Sequence, residues 1–357
     1  MLLIFAFVYD ARIDTLISRV ESQTVSQYIQ KLQDFGTRVY RSDTTLLVAQ
    51  WIHDKFYQLG ADTVFYQTFF YEGQMQRNVI ARFYGDSSYL ARVIVGAHHD
   101  SRPYTGPAPG ADDNASGVSF LLTLAGILNQ AEFNRTIELV AFAAEEPGLI
   151  GSDKYAQKLY SENDTFLLYL NADMIGGDID YVNDAIVVER DEGNSQNSND
   201  YLSHVYADTL AMAFIEYTTL DTEYGPIYAS DYMPFEQRGF VTIGVFEEHM
   251  NSTYHSRYDV IDSLDIQYAT QVVKGASAFV LYLAGVTKVL EDSTTSIPEV
   301  VDLGRELYVN VYDLSGRRLV EKAHPDRFES YIRGRGIYLI ERIFERGKKI
   351  EKFLKGR

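Results

Sequence analysis

A chain of 357 residues, 46% hydrophobic and 23% charged, holds enough apolar material for one large α/β domain or two smaller ones. The formal net charge of -18 argues against nucleic acid or an anionic membrane surface as a partner. Cysteine is absent, which excludes disulfides, thiolate zinc sites and a cysteine nucleophile.

The first residues, MLLIFAFVYDA, carry an apolar run too short to span a bilayer. Residues 1–11 read as the remnant of a signal peptide whose true start lies upstream, with a buried strand or a boundary artefact as alternatives. No other run is long and apolar enough for a transmembrane span.

Residues 12–60 show helical spacing in two segments, the second running through LLVAQWIHDKFYQLG to Gly60. ADTVFYQTF, RNVIARFYG and ARVIVGAHHD then read as strands. Helix and strand alternate from there: helix 118–130, strand 135–146, helix 153–162, strand 165–174, helix 201–217, strand 240–248 and a long closing helix 265–290. The alternation predicts an α/β fold with a mixed, mostly parallel sheet sandwiched by helices. In such sheets the functional residues gather beyond the carboxyl ends of the strands.

EDSTTSIPEV, residues 291–300, reads as a linker, and the composition changes after it. Residues 298–357 hold 14 Lys/Arg against 10 Asp/Glu, out of 32 and 50 in the chain, which leaves 18 against 40 before them. An acidic body over 12–290 is therefore followed by a basic segment, 301–357, whose short apolar runs and glycine turns predict a small β-rich domain.

The polar clusters fall at the ends of apolar elements. His98, His99 and Asp100 follow one strand, and Asp112 and Asp113 open the next helix. Glu145 and Glu146 end a second strand and Asp173 a third, while His255 and Asp259 lie in the loop before the closing helix. Each motif alone is weak: a His-x-Asp pair arises by chance, paired glutamates are ordinarily a solvated turn, and Asp-Asp-Asn before a helix is ordinarily a cap. Five converging together would be prohibitive without a cation, and mixed imidazole and carboxylate donors suit zinc.

GAHHDS, PGADDNASG, AFAAEEPGLIGS, NADMIGG and YHSRYD resemble, in order and spacing, the M28 peptidase family of zinc aminopeptidases over about residues 20–290. The resemblance implies a zinc-exopeptidase-like fold and two zinc ions (Zn2+) sharing an aspartate and a bridging water. Asp113 would be the bridge, Glu146 and His255 would complete one zinc, and His98 and Asp173 the other. Glu145 would be the general base, and Asp100 would hold the other ring nitrogen of His98. The implied reaction is hydrolysis of the N-terminal bond of peptides or proteins by the zinc-bound water. Asp112 is left as a helix cap or a support, and His99 packs or faces solvent. YASDYMPF (228–235) matches the family's Ser-Asp-His stretch at Ser230 and Asp231 but has Tyr232 where histidine is usual.

The C-terminal segment VNVYDLSGRRLVE…GIYLIERIFERGKKIEKFLK is similar to the sorting domain of type IX secretion cargo. That resemblance implies the type IX secretion machinery as a partner and a secreted or cell-surface location in a bacterium of the Bacteroidetes kind. Two rival activities share the fold. A glutaminyl-peptide cyclotransferase would lack the first histidine of the His-x-Asp pair, and a carboxypeptidase would need a base such as Arg102, Arg238 or Arg257 to hold a carboxylate. A non-catalytic binding module would have lost a ligand or the base, and none is missing.

Overall fold

The computed structural model describes residues 8–87, 90–103 and 105–290, and the backbone of strands 306–312, 318–323, 336–344 and 347–355. The chain divides into two compact units, Met1–Thr294 and Thr295–Arg357. The predicted linker 291–300 and most of the predicted leader, residues 1–7, lie outside the described residues.

The larger unit opens with three helices, α1 (Ala11–Ile17), α2 (Ser22–Gln33) and α3 (Thr44–Gln58). The first predicted helical segment is thus two helices. Asp10 caps α1 by accepting from the Arg12 N–H at 2.8 Å. Tight turn bonds from the Arg19 and Val20 N–H groups back to Leu16 and Ile17 then close α1 before α2 begins. α2 buries Val25, Tyr28, Ile29 and Leu32, one stripe at helical spacing. α3 gives way to Gly60, whose φ of +89° suits glycine.

β1 (Thr63–Tyr71) and β2 (Gln74–Phe83) form a hairpin whose two turn residues, Glu72 and Gly73, both have positive φ, as a right-twisted two-residue turn requires. There follow β3 (Arg92–His98), α4 (Gly117–Leu128), β4 (Ala131–Phe133), β5 (Ile137–Phe142), α5 (Ile150–Ser161), β6 (Phe166–Ala172), β7 (Ala185–Arg190), α6 (Asp200–Tyr217), β8 (Asp221–Pro226), α7 (Met233–Glu236), β9 (Thr242–Glu247), α8 (Ile266–Ala284) and β10 (Val286–Val289). The main sheet has the order β1-β2-β5-β3-β6-β9-β7-β8. β5, β3, β6 and β9 run parallel, β1 and β2 extend one side antiparallel, and β7 is antiparallel to β9 but parallel to β8.

The closing helix is shorter than its predicted span. Gly285, at φ +68°, ends it, and the chain turns back as β10 to pair with β4. On one face of the sheet α8 packs against α4 and α6. On the other, α5 and α7 close over Phe142, Tyr155, Tyr169, Tyr232 and Phe235. All six residues of β5 are buried, as expected of a strand covered on both faces. The four parallel strands finish along one edge, and their carboxyl ends carry His98, the turn after Phe142, Asp173 and the loop after Glu247.

In the smaller unit, β11 (Glu306–Tyr312), β12 (Arg318–Ala323), β13 (Gly336–Phe344) and β14 (Gly347–Lys355) form an antiparallel sheet in the order β12-β11-β13-β14.

Inside the larger unit, Glu138 of β5 is fully buried and accepts from Arg82, Arg92 and the Tyr155 hydroxyl. Replacing it with alanine strands the Arg82 guanidinium and the Tyr155 phenol and leaves Arg92 with Asp164 alone. Glu138→Ala is expected to cost about 3–5 kcal/mol, the usual penalty for removing one partner of a buried ion pair. Urea unfolding would read this as a lower midpoint at unchanged slope.

Candidate active site

The site lies at that strand edge, and its centre is Asp113. One carboxylate oxygen, Oδ1, is 3.2 Å from Nε2 of His98, and the other, Oδ2, is 2.9 Å from Nε2 of His255. The same nitrogen of His98 is 3.2 Å from Oδ1 of Asp173, and that of His255 is 2.9 Å from Oε2 of Glu146. Two donor sets result, His98–Asp113–Asp173 and Asp113–Glu146–His255, each with its donor atoms within 4.8 Å of one another. All five residues predicted to ligate zinc are thus brought together. Glu145 belongs to neither set; its Oε2 stands 3.9 Å from His98 Nε2.

Each side chain is placed by a local device. Asp112 and Asp113 sit in an irregular stretch, 111–116, that precedes α4. The Asp259 carboxylate accepts from both of their N–H groups, at 2.7 and 3.2 Å. Since Asp259 follows His255 by four residues, it ties the two loops that carry the second donor set. Asp100 does the same for the turn after β5, accepting from the N–H groups of Glu145 at 3.1 Å and Glu146 at 3.3 Å. Toward His98 it is the Asp100 backbone carbonyl that lies within hydrogen-bond distance of Nδ1, at 3.2 Å, while the carboxylate expected there stands 3.7 Å away. Ser230 donates to Asp173 at 2.6 Å and accepts from Asn171 at 2.9 Å.

Three non-glycine residues here have positive φ: Ala144 before Glu145, Met174 after Asp173, and His255 itself. Such conformations hold only where the surroundings over-determine them, and they gather at functional sites.

Asp112 is not the helix cap. Its Oδ1 accepts from the Gly176 N–H at 2.9 Å, and it is Asn114 that caps α4, through the Gly117 N–H at 2.9 Å. Asp112 also faces Glu247, and burial pushes both carboxyls up, Asp112 to about 8. His99 packs: it is buried, with Nε2 3.1 Å from the Arg77 carbonyl.

Arg38 carried no motif in the sequence, yet it is a fully buried cation beside this cluster. Its guanidinium donates to the carbonyls of His99 (2.8 Å), Leu32 (3.3 Å), Gly110 (2.8 Å) and Pro109. Four of the site's carboxylates, on Asp259, Asp100, Asp113 and Glu146, act on it electrostatically.

Burial and crowding set the proton affinities. Burial opposes charge on His98, but the surrounding carboxylates, Asp173 and Glu145 foremost, outweigh it and raise its pKa well above the usual range. His255 is raised in the same way by Asp113 and Glu146, to about 10. Burial lifts Glu145 well above the ordinary carboxylate range, Glu146 to about 8 and Asp231 to about 7. Asp113 goes the other way, its burial outweighed by the two histidines.

The donor chemistry fits zinc. Nitrogen and carboxylate oxygen are mixed, sulfur is absent, and one oxygen of Glu146 remains without a hydrogen-bond partner. An aspartate whose two oxygens face two different sets is suited to lie between two ions.

The family model of Peptidase family M28 matches residues 78–280. Leucine aminopeptidase 1 of Arthroderma gypseum is 30% identical over 301 residues, covering 76% of this chain and 76% of its own length. The LapA aminopeptidase of Legionella pneumophila superposes with a TM-score of 0.69 at 22% identity, over 82% of this chain and 78% of its own. BSAP, a zinc aminopeptidase from Bacillus subtilis, does so with a TM-score of 0.63 at 17% identity, over 78% and 97%. The two structures share the fold. With more than half of the sequence matched by the family model, the chain belongs to peptidase family M28.

Proposed function

We propose that the protein is a zinc-dependent aminopeptidase that removes the N-terminal residue of peptides, with two zinc ions held by His98, Asp113 and Asp173 and by Asp113, Glu146 and His255. The aminopeptidase activity of its relatives supports the reaction class. The observation that carries the two-ion reading is the division of Asp113 between two histidines. When bound, two zinc ions lower the pKa of a water towards about 7 and polarise the scissile carbonyl.

The protein's own groups supply the proton transfers. Glu145 takes the proton of the attacking water and passes it to the leaving amine. Its carboxylate belongs to neither donor set and stands 3.9 Å from His98, so it is left to hold that proton between the two steps. Asp100 fixes the backbone of Glu145 and Glu146 together, so base and ligand keep their relative position. Ser230 orients Asp173. A free α-amine pairs with a carboxylate of the cluster, which selects exopeptidase action.

His98, the histidine that cyclotransferases lack, stands within 3.2 Å of two carboxylates. Arg238, one of the bases a carboxypeptidase could use, is held by Asp153 at 2.6 Å and by the Pro234 carbonyl. For the C-terminal unit the sorting-domain pattern supports export through the type IX machinery to a secreted or cell-surface location. Deleting residues 301–357 is then expected to hold the protein inside a type IX-competent host, read by immunoblotting of cells and medium.

Elemental analysis of the purified protein is expected to give two zincs per chain. Leucine-p-nitroanilide hydrolysis would be abolished by chelator and restored by zinc. Glu145→Gln is expected to lower kcat by about 10^2–10^4-fold with zinc content unchanged.

The pKa shifts make the metal-free protein sensitive to alkali. A carboxyl raised in the fold, such as Glu146 at about 8, loses stability as pH climbs from its unfolded value near 4.5 through about 8. His255, raised to about 10, contributes stability that is complete below about 6.5 and lost as pH rises through about 10. Both signs agree. The metal-free protein is expected to lose thermal stability steadily from about pH 6 to 10, and zinc to reverse the loss. Zinc uptake should also release protons, measurable by calorimetry in buffers of different ionisation enthalpy.

A further inference from the structure

Two of the arginines that could hold a carboxylate have no part in the proposed reaction. Arg102 is exposed, and Nη1 of its guanidinium stands 3.4 Å from the backbone carbonyl of Glu146. Glu146 in turn shares the second donor set with His255, its Oε2 2.9 Å from the histidine. Arg257 follows His255 by two residues. It is also exposed, donates to the Tyr258 hydroxyl at 2.6 Å and lies 4.8 Å from the centre of that ring. Arg102 by contact and Arg257 by sequence are therefore attached to the Glu146–His255 side of the site.

The other donor set has different company. Asp173 accepts from the Ser230 hydroxyl at 2.6 Å, which Asn171 holds, and it feels the charge of the buried Asp231. None of these three neighbours is positive. Arg102 is also tied closely to the chemistry. Asp100 grips the N–H groups of Glu145 and Glu146, and Arg102, two residues on, meets the Glu146 carbonyl. The segment 100–102 thus clasps the base and the ligand at once and sets an exposed guanidinium beside them.

A peptide with both ends free meets this arrangement with one charge of each sign. Its α-amine is drawn by the carboxylates of the cluster, which repel its carboxyl end. The region before residue 298, with 18 Lys/Arg against 40 Asp/Glu, adds to that repulsion. In a dipeptide the carboxylate lies one residue past the scissile bond, at about 3.3–3.6 Å per residue, and so stays within that field. In a long peptide it lies far outside. We infer that Arg102 is a specificity-determining residue that receives the C-terminal carboxylate of dipeptide and tripeptide substrates, with Arg257 adding positive charge on the same side. This rests on the aminopeptidase reading. A guanidinium suits the task, because its planar fork matches a carboxylate through two parallel hydrogen bonds.

The test measures kcat/KM for Leu-Ala, Leu-Ala-NH2 and Leu-Asp-NH2 on the zinc-loaded full chain and on Arg102→Gln and Arg102→Lys. Ratios between substrates do not depend on how much of each preparation is active, so a variant that holds zinc less well still gives an answer. The wild type is expected to favour Leu-Ala over Leu-Ala-NH2 by about fivefold or more, Arg102→Gln to bring that ratio near one, and Arg102→Lys to restore part of it. A ratio unchanged in Arg102→Gln, or a wild type that favours the amide, would overturn the inference. Preference for Leu-Asp-NH2 over Leu-Ala would overturn it too, since the carboxylate being read would then be a side chain's. Leu-p-nitroanilide, which has no carboxylate, tests the aminopeptidase reading by itself. If it and the peptides stay intact, that reading fails, and calorimetry decides Arg102. Tighter binding of Leu-Ala than of Leu-Ala-NH2 in the wild type alone supports its role, and equal binding overturns it.

Discussion

Everything at this site depends on bringing carboxylates together at the edge of a buried sheet. Asp113 shares its two oxygens between His98 and His255, and Glu146, Asp173, Glu145, Asp231 and Asp259 crowd around it. In a low-dielectric environment that concentration is stable only if cations or protons neutralise it. Without metal, protons do so, and the raised pKa values of Glu145, Glu146 and His255 record it. Metal affinity and electrostatic strain are therefore one quantity seen from two sides. A cluster relaxed in the absence of ions would bind them poorly.

Such a cluster must be held against its own repulsion, and the backbone supplies most of the restraint. Asp100 and Asp259 each grip two successive N–H groups, and each pair belongs to residues of the cluster. The gripping carboxylates thus add negative charge to the region while fixing its geometry. Arg38 offsets part of that charge from behind, anchored to four carbonyls so that its position does not depend on the occupancy of the site. The positive φ values at Ala144, Met174 and His255 belong to the same arrangement, since each turns the chain sharply at or beside a residue of the cluster.

The central strands and the five residues that meet at the site were legible because both depend on local pattern. Apolar runs such as RVIVGAH and IELVAF have one meaning when helices alternate with them, and polar residues at their ends fall on one edge by topology. β7 and β8 were not predicted. β8, DTEYGP, is short, largely exposed and contains Gly and Pro, so it lacks the period of a strand and exists through its pairing with β7. The break between α1 and α2 escaped because helical spacing continues across it. Arg38, Glu247 and Glu189 were invisible for a different reason. Their roles arise from neighbours remote in sequence, as with Arg38 and the carbonyl of Gly110, 72 residues away. In the Asp-Asp-Asn run Asp112 was left as a cap or a support; the cap is Asn114, and Asp112 instead accepts from Gly176. Residue type alone cannot divide three adjacent acceptors among their donors.

Register across β6, β9 and β7 pairs Asn171, Gly244 and Glu189 in one row, with Asp173 two residues beyond Asn171 on the same face. Asp173 is held by the Ser230 hydroxyl, which Asn171 holds in turn. Glu189 reaches the same face from a strand that contributes no ligand, and its partner Tyr232 comes from α7's N-cap, next to Asp231 yet bonded away from it. Histidine at position 232 could not fill the same space. Its shorter, more polar ring would have to reach Glu189 through a nitrogen, whereas the phenol fills the space above Gly244 and ends in a hydroxyl that Tyr228 also engages. Tyr232, Gly244 and Glu189 form one interlocking set, in which the small residue admits the large ones.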